Sequence, residues 1–323
     1  MDLSADKRPI LVVGRVGMDV IVDPPGTGVG EAKKALIDIG GSSANIAVGL
    51  VKLGQQASLV TTVSDDAVAR FCVGKLAEYG VDTSHIRTVS GECRTSLAIY
   101  DSCLETHTNT IYRNNAADFQ MSLEDVAEID YAAFRCLITA GTVFAAEPSR
   151  SAAFAAFEKA RAAGLPVIFD IDYRPYSWPS PEVAADVLSR AGDLADLIVG
   201  NDEEFGFMAG DYGRGLAKAK ALAEGGRTIV YKRGPEGAIT FADGTEIATG
   251  IYPVQALKPV GAGDSFMAGF ISGLSEGDDL RAAILKGSAC ASITVSRPGC
   301  APALPTPDDL TEFLSSHPGP TGA

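Results

Sequence analysis

Short apolar runs rich in β-branched residues alternate with alanine-rich stretches along most of this 323-residue chain. The alternation predicts βα units arranged around a parallel sheet. Consecutive residues within the runs are apolar, which is typical of strands buried on both faces. We therefore predict an α/β fold in which helices cover both faces of a mostly parallel sheet. The clearest predicted strands are residues 10–14, 58–63, 136–140, 167–171, 197–199 and 228–231, and the clearest predicted helices are residues 149–163 and 181–191.

One region departs from this alternation. Residues 95–100 and 108–113 are both typical of strands, and only a polar turn separates them. Two such strands without an intervening helix predict a hairpin outside the α/β core. No linker or internal repeat divides the rest of the sequence, so residues 1–323 are predicted to form a single domain.

The charge balance excludes several classes of partner. The chain has 41 acidic and 27 basic side chains, and a net charge of −14 argues against binding to nucleic acid or to an anionic membrane. An anionic ligand must then be held by backbone amides and a few well-placed cations. No apolar run approaches the roughly 18 residues of a membrane span, and the N-terminus is polar, so we expect a cytoplasmic protein without a signal peptide.

Cysteine and histidine spacing gives no sign of a metal centre. The six cysteines include no Cys-x-x-Cys pair, and the three histidines lie far apart in the sequence. This pattern favours buried free thiols over a zinc site or a disulfide framework.

A glycine-rich turn, Gly261-Ala262-Gly263-Asp264, precedes an apolar segment with the spacing of one helix face. Because glycine has no Cβ, the backbone there can approach a ligand closely and direct its amide groups at an anion. The positive end of the helix dipole strengthens that attraction. With the Asp264 carboxylate beside it, the turn predicts an anion hole next to a proton acceptor. The alternative is a plain helix start with Asp264 as its N-cap.

A second glycine pair, Gly40-Gly41, opens another apolar helix, which includes Asn45. In their order and separation, the two glycine segments resemble the two signature motifs of the PfkB/ribokinase family of carbohydrate kinases. The resemblance runs over nearly the whole chain. It implies a ribokinase-like fold with a small β lid, formed by segments of about 19–37 and 95–115, that closes over the substrate. It also implies ATP as the phosphoryl donor and Mg²⁺ as the metal ion.

Phosphoryl transfer requires an in-line hydroxyl, a base for its proton and neutralisation of the charge on the γ-phosphate. The resemblance implies that Asp264 is the catalytic base and that the amides of Gly261, Ala262 and Gly263 hold the developing charge. The sequence contains no Gly-x-x-x-x-Gly-Lys-Ser/Thr motif. The turn at residues 261–264 must therefore hold the phosphate.

Two further segments resemble nucleotide-binding parts of the family. Lys232, Gly234 and Gly237 follow a predicted strand and resemble the family's nucleotide loop, although an ordinary hairpin turn is the alternative. Small residues around Ser288 are implied to border the adenine.

The metal motif implied by the resemblance is Asn-x-x-Glu. Asn201 and Glu204 match it, which implies that Asn201 helps to position the phosphates and that Glu204 binds Mg²⁺ directly or through water. A solvated acidic helix start is the alternative.

The resemblance places four residues at the sugar, namely Asp19, Gly40, Gly41 and Asn45. A carboxylate and an amide suit the recognition of hydroxyl groups. Asp19 is otherwise a simple turn residue.

Two arginines follow predicted strands. The forked guanidinium groups of Arg113 and Arg174 suit a carboxylate or phosphate on the substrate, which favours a sugar acid over a neutral sugar. For Arg174 the alternative is an internal salt bridge to Asp170 or Asp172.

The substrate prediction rests on residues 172–178, 200–205 and 296–303, which are similar to the branch of the family that phosphorylates 5-dehydro-2-deoxygluconate in inositol catabolism. The alternative substrates are 2-keto-3-deoxygluconate, fructose and ribose. A catalytically silent sugar- or nucleotide-binding protein is the alternative outside the enzymes. The expected partners are a sugar or sugar acid and ATP, and the lid allows a homodimer.

One departure from the family pattern concerns a monovalent cation. Many members have Asp-Thr where this chain has Lys258-Pro259, and that aspartate helps to bind an activating cation. The ammonium group of Lys258 can take the place of the cation, so we predict activity without a potassium requirement.

Overall fold

A computed structural model describes residues 3–24, 26–100, 109–258, 260–317 and 319–321. The strands in this part of the chain are β1 (Ile10–Val13), β2 (Gly17–Asp23), β3 (Lys34–Gly40), β4 (Ala57–Ser64), β5 (Ile86–Val89), β6 (Ser96–Tyr100), β7 (Asn109–Tyr112), β8 (Cys136–Ala140), β9 (Val167–Asp170), β10 (Leu197–Asn201), β11 (Thr228–Lys232), β12 (Ala238–Ala242) and β13 (Thr245–Thr249). The α-helices are α1 (Ser42–Lys52), α2 (Ala67–Tyr79), α3 (Leu123–Ala127), α4 (Ser149–Ala162), α5 (Pro181–Leu194), α6 (Asp202–Met208), α7 (Gly215–Glu224), α8 (Ala262–Glu276), α9 (Leu280–Val295) and α10 (Pro307–Ser316).

The larger sheet has nine strands in the order β13-β12-β11-β10-β9-β8-β1-β4-β5. Every neighbouring pair from β11 to β5 is parallel, which confirms the prediction of a mostly parallel sheet. At the other edge β12 and β13 add an antiparallel hairpin that the sequence analysis did not predict.

Helices cover both faces of this sheet, as the apolar runs predicted. Along β1, Ile10 and Val12 pack into one core, whereas Leu11 and Val13 pack into the other. Side chains alternate between the two faces of a strand, so a continuous apolar run supplies both cores. The first core includes residues of α1, α2, α8, α9 and α10, and the second includes residues of α3 to α7.

A smaller sheet has four strands in the order β3-β2-β6-β7. Strands β6 and β7 are antiparallel neighbours, in agreement with the predicted hairpin, whose turn at residues 101–108 lies outside the described residues. The sheet contains residues from both segments that were predicted to form a lid. Its role as a lid remains a prediction.

Helix α8 differs from the expectation of a single apolar face. All residues from Ser265 to Ser275 are buried, because α8 packs between α1 and α9. A Cβ on Gly269 would lie 3.0 Å from the Cα of Gly287 in α9, and a Cβ on Gly49 in α1 would lie 2.6 Å from the Cβ of Ala268. The glycines therefore allow three helix backbones to approach closely.

The described part of the chain has neither a membrane-spanning helix nor a disulfide bond. None of its helices has the length and apolar character that a membrane span needs. Its five cysteines are buried free thiols, as expected, and Cys103 lies outside the described residues.

Candidate active site

A cavity of about 1010 Å³ opens at the carboxyl ends of the parallel strands. Asp170, Asn201 and Lys232, the last residues of β9, β10 and β11, all line it. Ligands of open α/β sheets bind at this edge of the sheet. The volume lies at the upper end of the usual range for small-molecule sites, which suits two ligands bound side by side.

The four residues of the predicted anion hole and base, Gly261 to Asp264, also line the cavity. Gly261 precedes the first residue of α8 with φ of 84°, a left-handed conformation that favours glycine. Gly261 is the N-cap and Asp264 is the third residue of the helix, so the plain N-cap alternative does not describe Asp264. Its Oδ2 instead accepts a hydrogen bond of 2.8 Å from Nδ2 of Asn45 in α1.

The surroundings of Asp264 shift its proton affinity. The pKa of this carboxyl is raised from 3.8 to about 6, chiefly by burial and then by the nearby Asp172 carboxylate. The hydrogen bond from Asn45 and the charge of Arg174 act on this pKa in the opposite direction. A carboxyl with a pKa of about 6 is ionised at neutral pH and is more basic than an exposed aspartate, which suits a general base.

Lys232 brings a positive charge to the glycine turn. Its Nζ lies 3.7 Å from the position that a Cβ would take on Gly263, and 5.5 Å from the ring centre of Phe266. The ammonium group therefore lies beside the amides at the start of α8, where an anion would gain from both.

The other predicted nucleotide residues also line the cavity. Gly234 begins a single 3₁₀ turn that joins β11 to the antiparallel β12, and Gly237 follows that turn. The segment is thus a hairpin turn, which was the alternative, and it also forms part of the cavity wall. Ser288 lines the wall from α9, beside apolar residues such as Ile284 and Val295.

Asn201 and Glu204 hold each other in place at the start of α6. The Asn201 side chain accepts a 2.8 Å hydrogen bond from the Glu204 amide, and the Glu204 carboxylate accepts one of 2.8 Å from the Asn201 amide. Glu204 is only 7% exposed, so the alternative of a solvated acidic helix start does not describe it.

A second carboxyl, Asp170, lies near Glu204 in the cavity wall. Burial raises the pKa of Asp170 to about 8, Lys232 lowers it, and Glu204 raises it. Burial also raises the pKa of Glu204. Among the described residues, no group of three or more histidine, cysteine, aspartate and glutamate side chains is arranged to hold a metal ion.

The residues predicted at the sugar divide into two groups. Gly41, Asn45 and Arg174 line the cavity. Asp19, Gly40 and Arg113 do not line the cavity and lie behind its wall, each for its own reason, and their contact with the sugar stays a prediction.

Asp19 is 3% exposed and packs against Gly40 so tightly that a Cβ on Gly40 would overlap its carboxyl group. The thiol of Cys300, which does line the cavity, lies beside Asp19. Burial raises the pKa of Asp19 to about 7. Gly40 thus makes room for a buried carboxyl group.

Arg113 is 6% exposed and forms an ion pair with Asp118. It also donates a 3.1 Å hydrogen bond to the carbonyl oxygen of Thr142 and stacks on Phe119 at 4.0 Å. These contacts hold its guanidinium group within the protein, because Asp118 supplies the carboxylate that the sequence analysis assigned to a substrate.

The position of Arg174 agrees both with the predicted substrate site and with the alternative of an internal salt bridge. Its Nη2 lies 2.7 Å from Oδ1 of Asp172, so the internal salt bridge exists, and its side chain is also part of the cavity wall. Asp172 accepts further hydrogen bonds from Ser42 and Thr142.

Arg15 also lines the cavity and was not predicted there, and Asp170 and Asp172, which line it too, were predicted only as partners of an arginine. All three lie at or just beyond the carboxyl end of a parallel strand, β1 or β9. That position was available from the sequence and would have singled them out.

The main chain of Arg15 explains why residue 41 is a glycine. Gly41 has φ of 96°, and a Cβ there would lie 2.8 Å from the carbonyl oxygen of Arg15. The same carbonyl accepts a 3.2 Å hydrogen bond from the amide of Ala44. Gly41 therefore lets the start of α1 pack on the loop that carries Arg15.

Lys258 lies at the edge of the site among main-chain carbonyl groups. Its Nζ donates hydrogen bonds of 2.6 Å to Val260 and 3.4 Å to Thr294. Its neighbour Pro259 lies outside the described residues.

Comparison with known proteins gives consistent results. Residues 7–307 match the pfkB family carbohydrate kinases. The chain is 35% identical to a 5-dehydro-2-deoxygluconokinase of Geobacillus thermodenitrificans, over 96% of this chain and 94% of that protein. It is 34% identical to a 5-dehydro-2-deoxygluconokinase of Photobacterium profundum, over 96% of each chain.

Among solved structures, a double mutant of fructokinase from Vibrio cholerae O395, in a form with bound fructose, ADP and potassium ion, superposes with a TM-score of 0.82. It is 26% identical, and the match covers 97% of this chain and 99% of that one. From the family match and the full-length relatives we conclude that this chain belongs to the pfkB family of carbohydrate kinases.

Proposed function

We propose that this carbohydrate kinase transfers the γ-phosphoryl group of ATP to a hydroxyl group of 5-dehydro-2-deoxygluconate. The observation that carries the proposal is the position of Asp264, which faces the cavity beside the amides at the start of α8. A proton acceptor and a set of anion-binding donors thus meet at one point. The two full-length relatives named for this activity support the choice of substrate.

In the proposed reaction Asp264 takes the proton of the acceptor hydroxyl as its oxygen attacks the γ-phosphorus. The bond between that phosphorus and the bridging oxygen of ADP breaks, and ADP leaves with the electron pair. The amides of Gly261, Ala262 and Gly263 and the ammonium group of Lys232 stabilise the negative charge on the transferring group.

The nucleotide is proposed to lie along β11, β12 and α9. Gly234 and Gly237 allow the turn after β11 to approach the phosphates, and Ser288 lies in the more apolar part of the wall, which suits the adenine. The ADP bound to the related fructokinase supports a nucleotide in this cavity.

Mg²⁺ fits the chemistry of the acidic side of the cavity. Buried carboxyl groups at Glu204 and Asp170 have raised pKa values, and a divalent cation would favour their ionised forms. Mg²⁺ usually takes one or two carboxylates and completes its shell with phosphate oxygens and water, so two carboxyl groups are enough. When bound, the ion would neutralise charge on the phosphates, and Asn201 would keep the Glu204 carboxylate in position.

On the opposite side of Asp264, Gly41, Asn45 and Arg174 are proposed to contact the sugar acid. The Asn45 amide bridges the two functions, because it donates to Asp264 and lies in the cavity wall. Its Oδ1 has no hydrogen-bond partner among the described residues and is free to accept a bond from a ligand.

An ATP-consumption screen with the purified protein tests the proposal. The panel contains 5-dehydro-2-deoxygluconate, 2-keto-3-deoxygluconate, fructose and ribose, each with Mg²⁺. We expect the highest kcat/KM for 5-dehydro-2-deoxygluconate. A higher value for fructose or ribose would overturn the assignment to a sugar acid, and no consumption with any sugar would favour a silent binding protein.

A further inference from the structure

Arg15 has a buried guanidinium group that forms no ion pair with any of the described residues. It lies in the loop between β1 and β2, is 8% exposed and forms part of the cavity wall. Its Nε and Nη1 are inaccessible to water and have no hydrogen-bond partner, and no ion pair within 4.0 Å involves its side chain in the described parts of the chain. Burial lowers the pKa of Arg15, but nearby groups, Asp118 first among them, raise it above its usual value, so the charge is retained. Its Nε and Nη1 still lack acceptors among the described residues, and a bound carboxylate would supply them.

The acidic groups near Arg15 are already engaged. Asp118 and Asp172 are close enough to act on it electrostatically, but Asp118 is paired with Arg113 and Asp172 with Arg174. Asp19 also lies within electrostatic range, but burial raises its pKa to about 7, so at neutral pH it is only partly ionised. Of the three arginines in this part of the protein, Arg15 alone lacks a carboxylate of its own among the described residues.

Arg15 lies on the substrate side of the reaction centre. Its carbonyl is fixed to the start of α1 by the amide of Ala44, and the same helix carries Asn45, which donates to Asp264. Tyr100 and Tyr176 line the cavity and lie close enough to affect the charge of Arg15, so their hydroxyl groups are nearby donors. Lys232, by contrast, lies next to Gly263 at the phosphate turn.

We propose that Arg15 binds the carboxylate of the substrate and thereby selects a sugar acid over a neutral sugar. This inference rests on the proposed sugar-acid kinase activity. A forked guanidinium group can bind both oxygens of a carboxylate, whereas an uncharged group of the same shape would leave the buried charge uncompensated. In a six-carbon sugar acid the carboxylate and the terminal hydroxyl are at opposite ends of the chain, so Arg15 would orient the hydroxyl towards Asp264.

The kinetic test compares 5-dehydro-2-deoxygluconate with its carboxamide, which differs only in the charged end. With the wild-type enzyme we expect the acid to be the better substrate. Arg15→Gln should lower kcat/KM for the acid by about 10²-fold, mainly through KM, and change kcat/KM for the amide by only a few-fold. The KM for ATP should not change. Arg15→Lys keeps the positive charge but not the forked geometry, so its kcat/KM for the acid should lie between those of the wild type and of Arg15→Gln.

Thermal stability gives a second readout that does not depend on turnover. Because Nε and Nη1 of Arg15 donate no hydrogen bond among the described residues, Arg15→Gln should lower the Tm of the free protein by less than the control does, or not at all. Arg135→Gln is the matched control, because Arg135 is also buried but donates to Gln55 at 2.7 Å and lies outside the cavity wall. The control should lower the Tm and leave the ratio of acid to amide activity unchanged.

Three outcomes separate this inference from the proposed function. If the wild type prefers the acid and Arg15→Gln retains that preference, Arg15 does not bind the carboxylate. A fall in Tm for Arg15→Gln like that of the control would show that Arg15 is structural, and would also overturn the assignment. If the wild type phosphorylates neither compound, the proposed function fails, and calorimetric binding without ATP still tests Arg15, since tighter binding of the acid must disappear in Arg15→Gln.

Discussion

Asp264 has both a raised pKa and a fixed orientation. Burial among other carboxyl groups raises its pKa to about 6, while the hydrogen bond from Asn45 favours the charged form and holds one oxygen in place. The other oxygen remains available to a substrate hydroxyl. A carboxylate with a pKa of about 6 is ionised at physiological pH and still accepts a proton more readily than an exposed aspartate does.

The pH dependence of the rate follows from this pKa. If Asp264 must be ionised to accept a proton, kcat/KM should rise with pH and level off above an apparent pKa of about 6. Asn45→Ala removes a hydrogen bond that favours the ionised form of Asp264, so the acid limb of the pH–kcat/KM profile should move to higher pH. Asn114→Ala, an exposed residue outside the cavity wall, is the control and should leave the limb unchanged. A limb near pH 4, or one that Asn45→Ala does not move, would contradict this role for Asp264.

Lys258 leads to a prediction about monovalent cations. Its ammonium group lies among the carbonyl oxygens of Val260 and Thr294, which are the kind of ligands that a potassium ion takes. We therefore expect equal kcat values in potassium and sodium buffers of the same ionic strength. A strong preference for potassium would show that Lys258 does not replace a cation.

At the scale of elements, the position of Asp264 depends on how closely α8 approaches its neighbours. A Cβ on Gly287 in α9 would lie 2.7 Å from the carbonyl oxygen of Phe266 in α8, which is backbone and cannot move aside independently. Phe266 is only two residues after Asp264. The contact between α8 and α9 therefore fixes the end of α8 that carries the base.

Gly287→Ala tests this contact. The added methyl group should push α8 away from α9, destabilise the protein by about 1–3 kcal/mol and lower kcat/KM. Gly74→Ala is the matched control, because Gly74 lies within α2 and a Cβ there meets nothing within 4 Å. The control should stabilise the protein by about 0.5–1 kcal/mol and leave activity unchanged. Denaturant unfolding and steady-state kinetics measure both effects, and a neutral Gly287→Ala variant would contradict the argument.

At the scale of the whole molecule, the sequence predicted features that depend on local pattern. The parallel strands were recognisable because each is apolar at consecutive positions, and the phosphate turn because Gly261 and Gly263 flank it before a helix. The β12–β13 hairpin was not predicted, because its strands mix apolar with polar residues, as in Thr245–Thr249.

The arginines show what sequence alone does not decide. Arg113 and Arg15 both lie near strand ends, but Arg113 has Asp118 as a partner five residues later, whereas Arg15 has none among the described residues. The Arg113–Asp118 pair is local, but Arg113 is also held by the carbonyl oxygen of Thr142, and whether Arg15 meets a carboxylate likewise depends on contacts between distant segments. Those contacts exist only in the folded chain.

The small sheet is the basis of a prediction about assembly. Leu36 and Ile37 in the edge strand β3 are each about half exposed, and neighbouring residues on a strand point to opposite faces. Tyr112 in β7 is also exposed. We propose that the exposed apolar side chains on one face of β3 close over substrate and that those on the other face meet a second copy of the chain.

We therefore predict a homodimer through the small sheet. Light scattering should give twice the mass of one chain, and Leu36→Glu combined with Ile37→Lys should give a monomer. Leu314→Glu, which changes an exposed leucine in α10 far along the chain, is the control and should remain dimeric. A monomeric wild-type protein at micromolar concentration would contradict the prediction.

The most direct test of the central claim, that Asp264 accepts the proton of the sugar hydroxyl, is the turnover of Asp264→Asn at pH 8. Asparagine keeps the shape and the bond from Asn45 but cannot act as the base, so kcat should fall by about 10²- to 10⁴-fold while calorimetry shows retained ADP binding. The Tm should not fall, because the variant removes a buried charge. Asp308→Asn, the same change in the first turn of α10, should have full activity. Turnover by Asp264→Asn within a few-fold of the wild type would contradict the account.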